Sequence, residues 1–256
     1  MIHPTAIVHP GAQIDADVEI GPYAVIGGHV KIGRGTTIGP SAVIDGWTEI
    51  GENNRIFHLC SVGAIPQDLK YKGEETRLII GNGNIIREFA TIHLGTVTGD
   101  GETTIGDNNL FMAYCHVAHD CHIGNHVIMA NGSTLAGHIK VEDHARLGGL
   151  SAVHQFVRIG AHAMVGGGAM VGQDVPPYTI AAGDRATLHG LNLVGLKRSG
   201  FSEEIIADLK KAYKILIRSG LLTEDALARI RNEVPQSPEV KHFVEFVEQS
   251  ERGICR

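Results

Sequence analysis

The amino-acid sequence predicts a mainly β protein, a parallel β-helix over residues 1–190 followed by a C-terminal α-helical domain over residues 191–256. Three observations predict it. Long stretches carry an aliphatic residue at every sixth position; glycine occupies 33 positions while aromatic residues make up only 5%; and the periodicity becomes helical near residue 191. Tightly turned strands suit that composition better than a helical bundle does.

From Ile2 to Val62 every sixth residue is Ile or Val. The phase resumes at Ile80, Ile86 and Ile92, slips by one residue, and continues from Ile105 to Val171, for 26 hexads in all. A period of six fits neither a helix nor a plain alternating strand, so each hexad must be a unit of its own, a short strand plus a corner. Four residues after the aliphatic one the position is usually small or apolar, as at Ala6, Ala12, Val18, Ala24 and Val30, and glycine often follows it directly, as at Gly21, Gly27 and Gly39. Glycine at such corners is expected to supply positive φ. Repeats of this kind are the sequence signature of a parallel β-helix. The pattern resembles the hexapeptide-repeat family, and the resemblance implies triangular, left-handed coils of three hexads, 18 residues each, so that 26 hexads make between eight and nine coils. A β-sandwich with fortuitous spacing does not account for so many hexads.

Residues 64–79 and 93–104 are polar, charged and off the repeat, and are expected to project as two loops. Loops on a rigid scaffold are frequent places for sites. Beyond Val171 the pattern fades through DVPPYTIAAGD. Ser202 with Glu203 and Glu204 reads as a helix start and Gly220 as its end; a second helix starts at Thr223 and stops by Pro235; Ser237 and Pro238 open a third.

A formal charge of −6 gives no general attraction to nucleic acid or anionic membranes, so any acidic partner must meet a local basic patch. The N-terminal stretch has no secretory-signal pattern, and no segment approaches the ~20 apolar residues of a membrane span. Cys60, Cys115, Cys121 and Cys255 show no disulfide framework. A cytoplasmic location is expected.

The 15 histidines include His119, His138 and His154, which fall in three consecutive coils of one face, with His116 at the corner just before it. Such a column could bind a phosphate, a metal or a substrate proton. Cys115 and Cys121 fall on the inward small position of their hexads, which makes them core residues rather than zinc ligands. Asp120 follows His119, and a carboxylate bonded to one ring nitrogen would fix the tautomer and raise the basicity of the other. An adjacent His and Asp is more commonly solvated surface; the surrounding repeat and histidines favour a site.

The strings QDLKYKGE (67–74), TIH (91–93), HVAHDC (116–121), LAGH (135–138), VHQF (153–156), DVPPY (174–178) and NLVGLKRSGF (192–201) resemble, in order, those of the UDP-N-acetylglucosamine O-acyltransferases that begin lipid A biosynthesis. The resemblance covers the whole chain. It implies transfer of an (R)-3-hydroxyacyl group from acyl carrier protein to the glucosamine 3-hydroxyl of UDP-GlcNAc, without a metal or other cofactor. His119 would be the general base, Asp120 its support, and the Gly137 N–H a donor to the oxyanion. Asp68, Lys70, His93 and His116 match residues around the sugar and phosphates; His138 and His154 match supporting positions; Gln155, Asn192 and Arg198 match nucleotide contacts; Gly167 matches an acyl-length ruler, where glycine admits a longer chain. The family implies a homotrimer with sites between neighbouring solenoids. Lys197, Arg198, Lys210, Lys211, Lys214 and Arg218 would form the basic patch for the acidic carrier protein, or else a solvated helix face.

Four positions depart from the family pattern: Leu94 replaces an arginine, Val194 an acidic residue, Ser199 a basic one and Ala64 an acidic one. A 3-amino sugar acceptor, the N-acyltransferase acting later on the same scaffold, a metal-dependent hydratase and a non-catalytic solenoid are the alternatives.

Overall fold

Each hexad folds as a two-residue strand that ends on its aliphatic residue, as in Val25–Ile26, Lys31–Ile32 and Thr37–Ile38. That residue and the small residue four places on both turn inward, so Ile26, Val30, Ile32, Thr36 and Ile38 are all buried. The computed structural model describes residues 1–256 and stacks these strands into a left-handed parallel β-helix with three faces. The first face runs from Ile7–Val8 to Met170–Val171, the second from Gln13–Ile14 to Arg158–Ile159, and the third from Glu19–Ile20 to Thr179–Ala182, with an antiparallel strand, Thr187–Leu191, added at its end. Every coil visits the faces in that order.

The corners correct one expectation. Most residues with positive φ are not glycine: Asp120, His138 and Phe156 take it between the first and second faces, and His126, His144 and His162 between the second and third. The glycine after the aliphatic residue serves a different need. A Cβ on Gly39 would lie 2.6 Å from the backbone nitrogen of His58 in the next coil, so the close stacking of coils requires its absence.

Both loops are shorter than the sequence suggests. Ser61–Ala64, Arg77–Ile80, Thr91–His93 and Glu102–Ile105 are strands, leaving residues 65–76 and 94–101 as the projections. Arg77–Ile80 pairs with Trp47–Ile50 on one side and Glu102–Ile105 on the other, with Leu78 and Ile80 pointing inward, so polarity at alternate positions hid a half-buried strand. Both loops leave from the corner between the first and second faces. They lengthen two coils, so that Ile50 pairs with Ile80 and Ile80 with Ile105, yet the third-face register resumes at once.

A buried asparagine ladder carries that register across the insertions. Asn54 Oδ1 accepts from the Asn84 backbone N–H at 2.9 Å and Nδ2 at 3.0 Å, Asn84 Oδ1 accepts from Asn109 N–H at 2.9 Å, and Asn109 Oδ1 accepts from Val127 N–H at 2.7 Å. The amide nitrogens of Asn54, Asn84 and Asn109 donate to the carbonyls of Gly81, Gly106 and Gly124. Unpaired polar groups at this depth would be costly, so the ladder fixes which coil lies on which.

The tail packs a second apolar core. It holds α1 (Leu193–Arg198), α2 (Glu203–Arg218), α3 (Thr223–Glu233) and α4 (Pro238–Glu248). Ser202 Oγ accepts from Ile205 N–H and Ser237 Oγ from Val240 N–H, which starts α2 and α4 as their sequences predict. The short α1 was not separately predicted; its capping residue is Asn192, whose Oδ1 accepts from Gly195 N–H. No helix is long and apolar enough to cross a membrane. Asp174 ties the tail to the last coil through Ser250 Oγ, the Gly253 carbonyl and the Cys255 N–H.

Asn84→Ala should lower the free energy of unfolding by about 2–4 kcal/mol, since Asn109 N–H and the Gly106 carbonyl lose their buried partner. Urea unfolding should show an earlier midpoint at an unchanged slope.

Candidate active site

Strand His116–Val117 turns into the corner between the first and second faces through Ala118, His119 and Asp120, the last with φ 57°. The αL corner places the Asp120 side chain beneath the 94–101 loop, which covers it so that only 1% is exposed. Its Oδ1 accepts from Thr96 N–H at 2.9 Å, and its Oδ2 accepts from Thr96 Oγ1 at 2.6 Å and bonds His119 Nδ1 at 2.7 Å. Its own N–H donates to Thr103 Oγ1 at 2.9 Å. Burial pushes the Asp120 pKa up, but the hydrogen bonds from His119 and Thr96 outweigh it and hold the carboxyl below the ordinary aspartate value.

An ionised Asp120 makes His119 Nδ1 the protonated nitrogen, which leaves the Nε2 lone pair free. The His119 side chain is 16% exposed and lies flat over Gly137: a Cβ there would come within 2.5 Å of the ring. Gly137 N–H donates to no backbone carbonyl. His138 meets the His119 ring edge-on at 5.0 Å and stacks on Phe156 at 4.5 Å. On the first face His93 meets His116 at 4.9 Å, and His116 Nδ1 bonds Thr91 Oγ1 at 2.7 Å. His93 Nδ1 is buried without a partner in the chain. Burial, followed by the neighbouring histidines, lowers the His93 pKa to about 4 and shifts His116 in the same direction. His138 is also shifted down, by burial against the opposing pull of Asp120. These rings therefore crowd His119 without adding positive charge at neutral pH.

The imidazole column expected from the sequence needs correction. The coil register aligns Asp120, His138 and Phe156 at the corner, sets His119 over Gly137, and leaves His154 exposed with its Nδ1 near the Gln155 carbonyl. His116 lies in a strand, not at a corner. A true imidazole ladder stands at another edge, where His126, His144 and His162 stack at 4.8 and 4.6 Å. Cys115 and Cys121 behave as core residues: Cys115 Sγ donates to the Ala130 carbonyl, Cys121 Sγ to that of Ala136, and burial raises their pKa values to about 11 and 12. His119, Asp120 and His138 offer donor atoms within 4.8 Å of one another, as a metal site would. A metal between them would have to break the short His119–Asp120 bond.

Of the remaining assigned residues, Gly167, Asn192 and Arg198 do not gather there within one chain. Asp68 and Lys70 sit in the 65–76 loop, where Asp68 Oδ1 accepts from Lys70 N–H, and the Asp68 charge acts on His138. Gly167 lies at the corner between the third and first faces, with open space beyond Gly149. Asn192 caps α1 and Arg198 ends it at the edge between the second and third faces, where Asn192 Nδ2 donates to the His162 carbonyl and Arg198 lies near Arg146. Leu94 is part of the solenoid core. Sequence reading missed Thr96, Gly99 and Thr103, which enclose Asp120; a Cβ on Gly99 would meet its carboxylate at 2.4 Å. The only sequence signal was that they lie within the second polar interruption.

Comparison with known proteins agrees with this architecture. Residues 102–137 match the bacterial transferase hexapeptide model, and residues 174–255 match domain 2 of UDP-N-acetylglucosamine O-acyltransferase. The chain is 60% identical to the acyl-[acyl-carrier-protein]--UDP-N-acetylglucosamine O-acyltransferase of Thermodesulfovibrio yellowstonii, over 100% of this chain and 99% of that one. It is 55% identical to the Burkholderia lata enzyme of the same name, with the same coverage. A solved UDP-N-acetylglucosamine acyltransferase from Bacteroides fragilis superposes with a TM-score of 0.98 at 46% identity, over 100% of both chains.

His93 gives a pH dependence of stability. Its folded pKa, about 4, lies below the unfolded value, so between pH 6.5 and 4 the unfolded chain takes up a proton that the folded chain refuses. That proton should cost about 2 kcal/mol of stability at pH 5 relative to pH 7. His93→Asn should flatten the fall of the melting temperature over that interval.

Proposed function

The chain belongs to the UDP-N-acetylglucosamine O-acyltransferase family, and from that premise we propose that it moves an (R)-3-hydroxyacyl group from acyl carrier protein to the glucosamine 3-hydroxyl of UDP-GlcNAc, the first step of lipid A biosynthesis. One observation carries the assignment of His119 as general base: a buried, ionised Asp120 accepts a hydrogen bond from Nδ1–H, which keeps the proton on Nδ1 and leaves Nε2 as the only basic nitrogen of the ring. Nε2 accepts the proton of the sugar hydroxyl as its oxygen attacks the thioester carbonyl. The carbonyl electrons move onto oxygen, and the N–H of Gly137, a residue against which the ring packs and which donates to no backbone carbonyl, is the donor to that developing charge. Collapse of the tetrahedral intermediate breaks the C–S bond, and the carrier thiolate recovers the proton from His119.

His93, with an unpartnered buried nitrogen, and His116 on the first face, with His138 at the adjoining corner, surround that base and suit the neutral hydroxyls of a sugar. Asp68 and Lys70 approach from the 65–76 loop. His154 and Gln155 lie exposed on the same edge two coils beyond His119, where an extended ligand can reach them.

The other residues of this reading support a homotrimer. His119, Gly167 and the pair Asn192 and Arg198 occupy the three different edges of one triangular prism, so a cleft holding sugar, acyl chain and nucleotide together needs a second chain alongside. Three chains packed about a common axis supply three such clefts. The exposed outer side of α2, with Lys210, Lys211, Lys214 and Arg218, joins Arg198 as the basic surface for the acidic carrier protein; Lys197 is already paired with Glu203. All four cysteines are free and buried, which suits a cytoplasmic enzyme.

His119→Ala should lower kcat about 10²–10⁴-fold in an assay with 3-hydroxyacyl carrier protein and UDP-GlcNAc. Turnover at the parent rate would remove His119 from this role. Gly167→Met, which places a long side chain where only Gly149 borders open space, should shift donor preference to shorter acyl chains by about tenfold in kcat/KM, in line with the few kcal/mol a pocket gains or loses with chain length. A series of carrier proteins loaded with different acyl lengths measures it.

A further inference from the structure

We propose that Thr96 is a positioning residue for acyl transfer, acting through Asp120 to set the ring of His119. This inference rests on the reading of His119 as the base. Thr96 is 2% exposed and is the only residue besides His119 whose side chain or N–H is within hydrogen-bond distance of the Asp120 carboxylate, using its N–H on Oδ1 and its hydroxyl on Oδ2; the titratable group next nearest, His138 Nδ1, stands 3.8 Å from Oδ2. A carboxylate on a side chain with two free torsions can rotate about its last bond. Two donors from one rigidly placed residue fix that plane, and with it the line along which Oδ2 meets His119 Nδ1. The imidazole is thereby held on Gly137, with its Nδ1 bonded to Asp120 and its Nε2 without a partner in the chain.

The chain places Thr96 with care. Gly95 bonds the Arg77 carbonyl, the N–H groups of Gly99 and Gly101 both close back on the Thr96 carbonyl, and Gly99 presses against the Asp120 carboxylate where any side chain would collide. A second tether fixes the far end of the loop: Asp100 Oδ2 bonds His122 Nε2 at 2.9 Å, while His122 Nδ1 bonds Thr104 Oγ1 at 2.8 Å. The loop is thus a clamp on both oxygens of the aspartate, sharing Oδ2 with His119. The Thr96 hydroxyl also shares the negative charge of Oδ2, so Asp120 orients the imidazole without itself taking the proton.

Thr96→Val keeps the shape and the backbone N–H and removes only the hydroxyl. The variant should lose about 10–100-fold in kcat, as removal of an outer partner of a catalytic histidine typically does, with KM for UDP-GlcNAc nearly unchanged. An Asp120 carboxylate with one donor fewer attracts the imidazolium more strongly, so the acid limb of the kcat–pH profile should move to higher pH. Thr96→Ser should restore both rate and profile. In an Asp120→Asn background the valine change should cost little more, because its route to the ring is already broken. Parent kcat and an unmoved acid limb in Thr96→Val, with His119→Ala inactive, would overturn the role of Thr96 alone; an active His119→Ala would overturn the reading beneath it. A Thr96→Val penalty equally large with and without Asp120, or a raised KM with an unmoved limb, would make the residue merely structural. Thr96→Ala provides the same readouts should the valine variant not fold.

Discussion

Vertical register is the constraint on which everything else depends. An aliphatic residue in one coil is covered only if the equivalent residue of the next coil lies directly on it, and a slip by one residue would turn the whole inner column outward. Ile26 on Ile44, Ile32 on Ile50 and Ile38 on Ile56 meet that requirement in the regular coils. Where the coils are lengthened, the Asn54, Asn84 and Asn109 ladder adds a polar check that only one alignment satisfies.

Register also explains why chemistry gathers at one edge. A coil can absorb extra residues only at a corner, since strands on either side must keep their pairing. Both insertions leave from the corner between the first and second faces, one coil apart, and the second folds over the same corner of the following coil, where Asp120 stands. Under such a roof Asp120 can be buried and still satisfied. Exposed at an ordinary corner it would be a solvated carboxylate with little influence on its neighbour. The difference comes from Thr96 and Thr103, which belong to the roof and the strand below it.

Stacking sets the size of the residues too. His119 lies on Gly137 because the position one coil up has no side chain, whereas His138 lies against Phe156 because both rings share a corner conformation with the same outward direction. The same rule builds the His126, His144 and His162 ladder at another edge. A coil repeat copies the direction of a side chain from layer to layer, so the identity of the stacked residues decides whether an edge becomes a ladder, a cradle or a bare surface.

The sequence by itself determined the repeat, the inward aliphatic and small positions, the buried state of Cys115 and Cys121, the existence of two interruptions and the start of the helical tail. All of these are periodic or local, and a single chain segment encodes them. It also pointed to His119 and Asp120 as a pair because they are adjacent. Tertiary structure alone decided that Thr96 clamps Asp120 from 24 residues away, that His154 stands apart from His119, and that Gly167, Asn192 and Arg198 lie on other edges. Those outcomes depend on how an irregular loop folds back and on which corner each phase reaches, and once insertions break the count of eighteen neither follows from spacing.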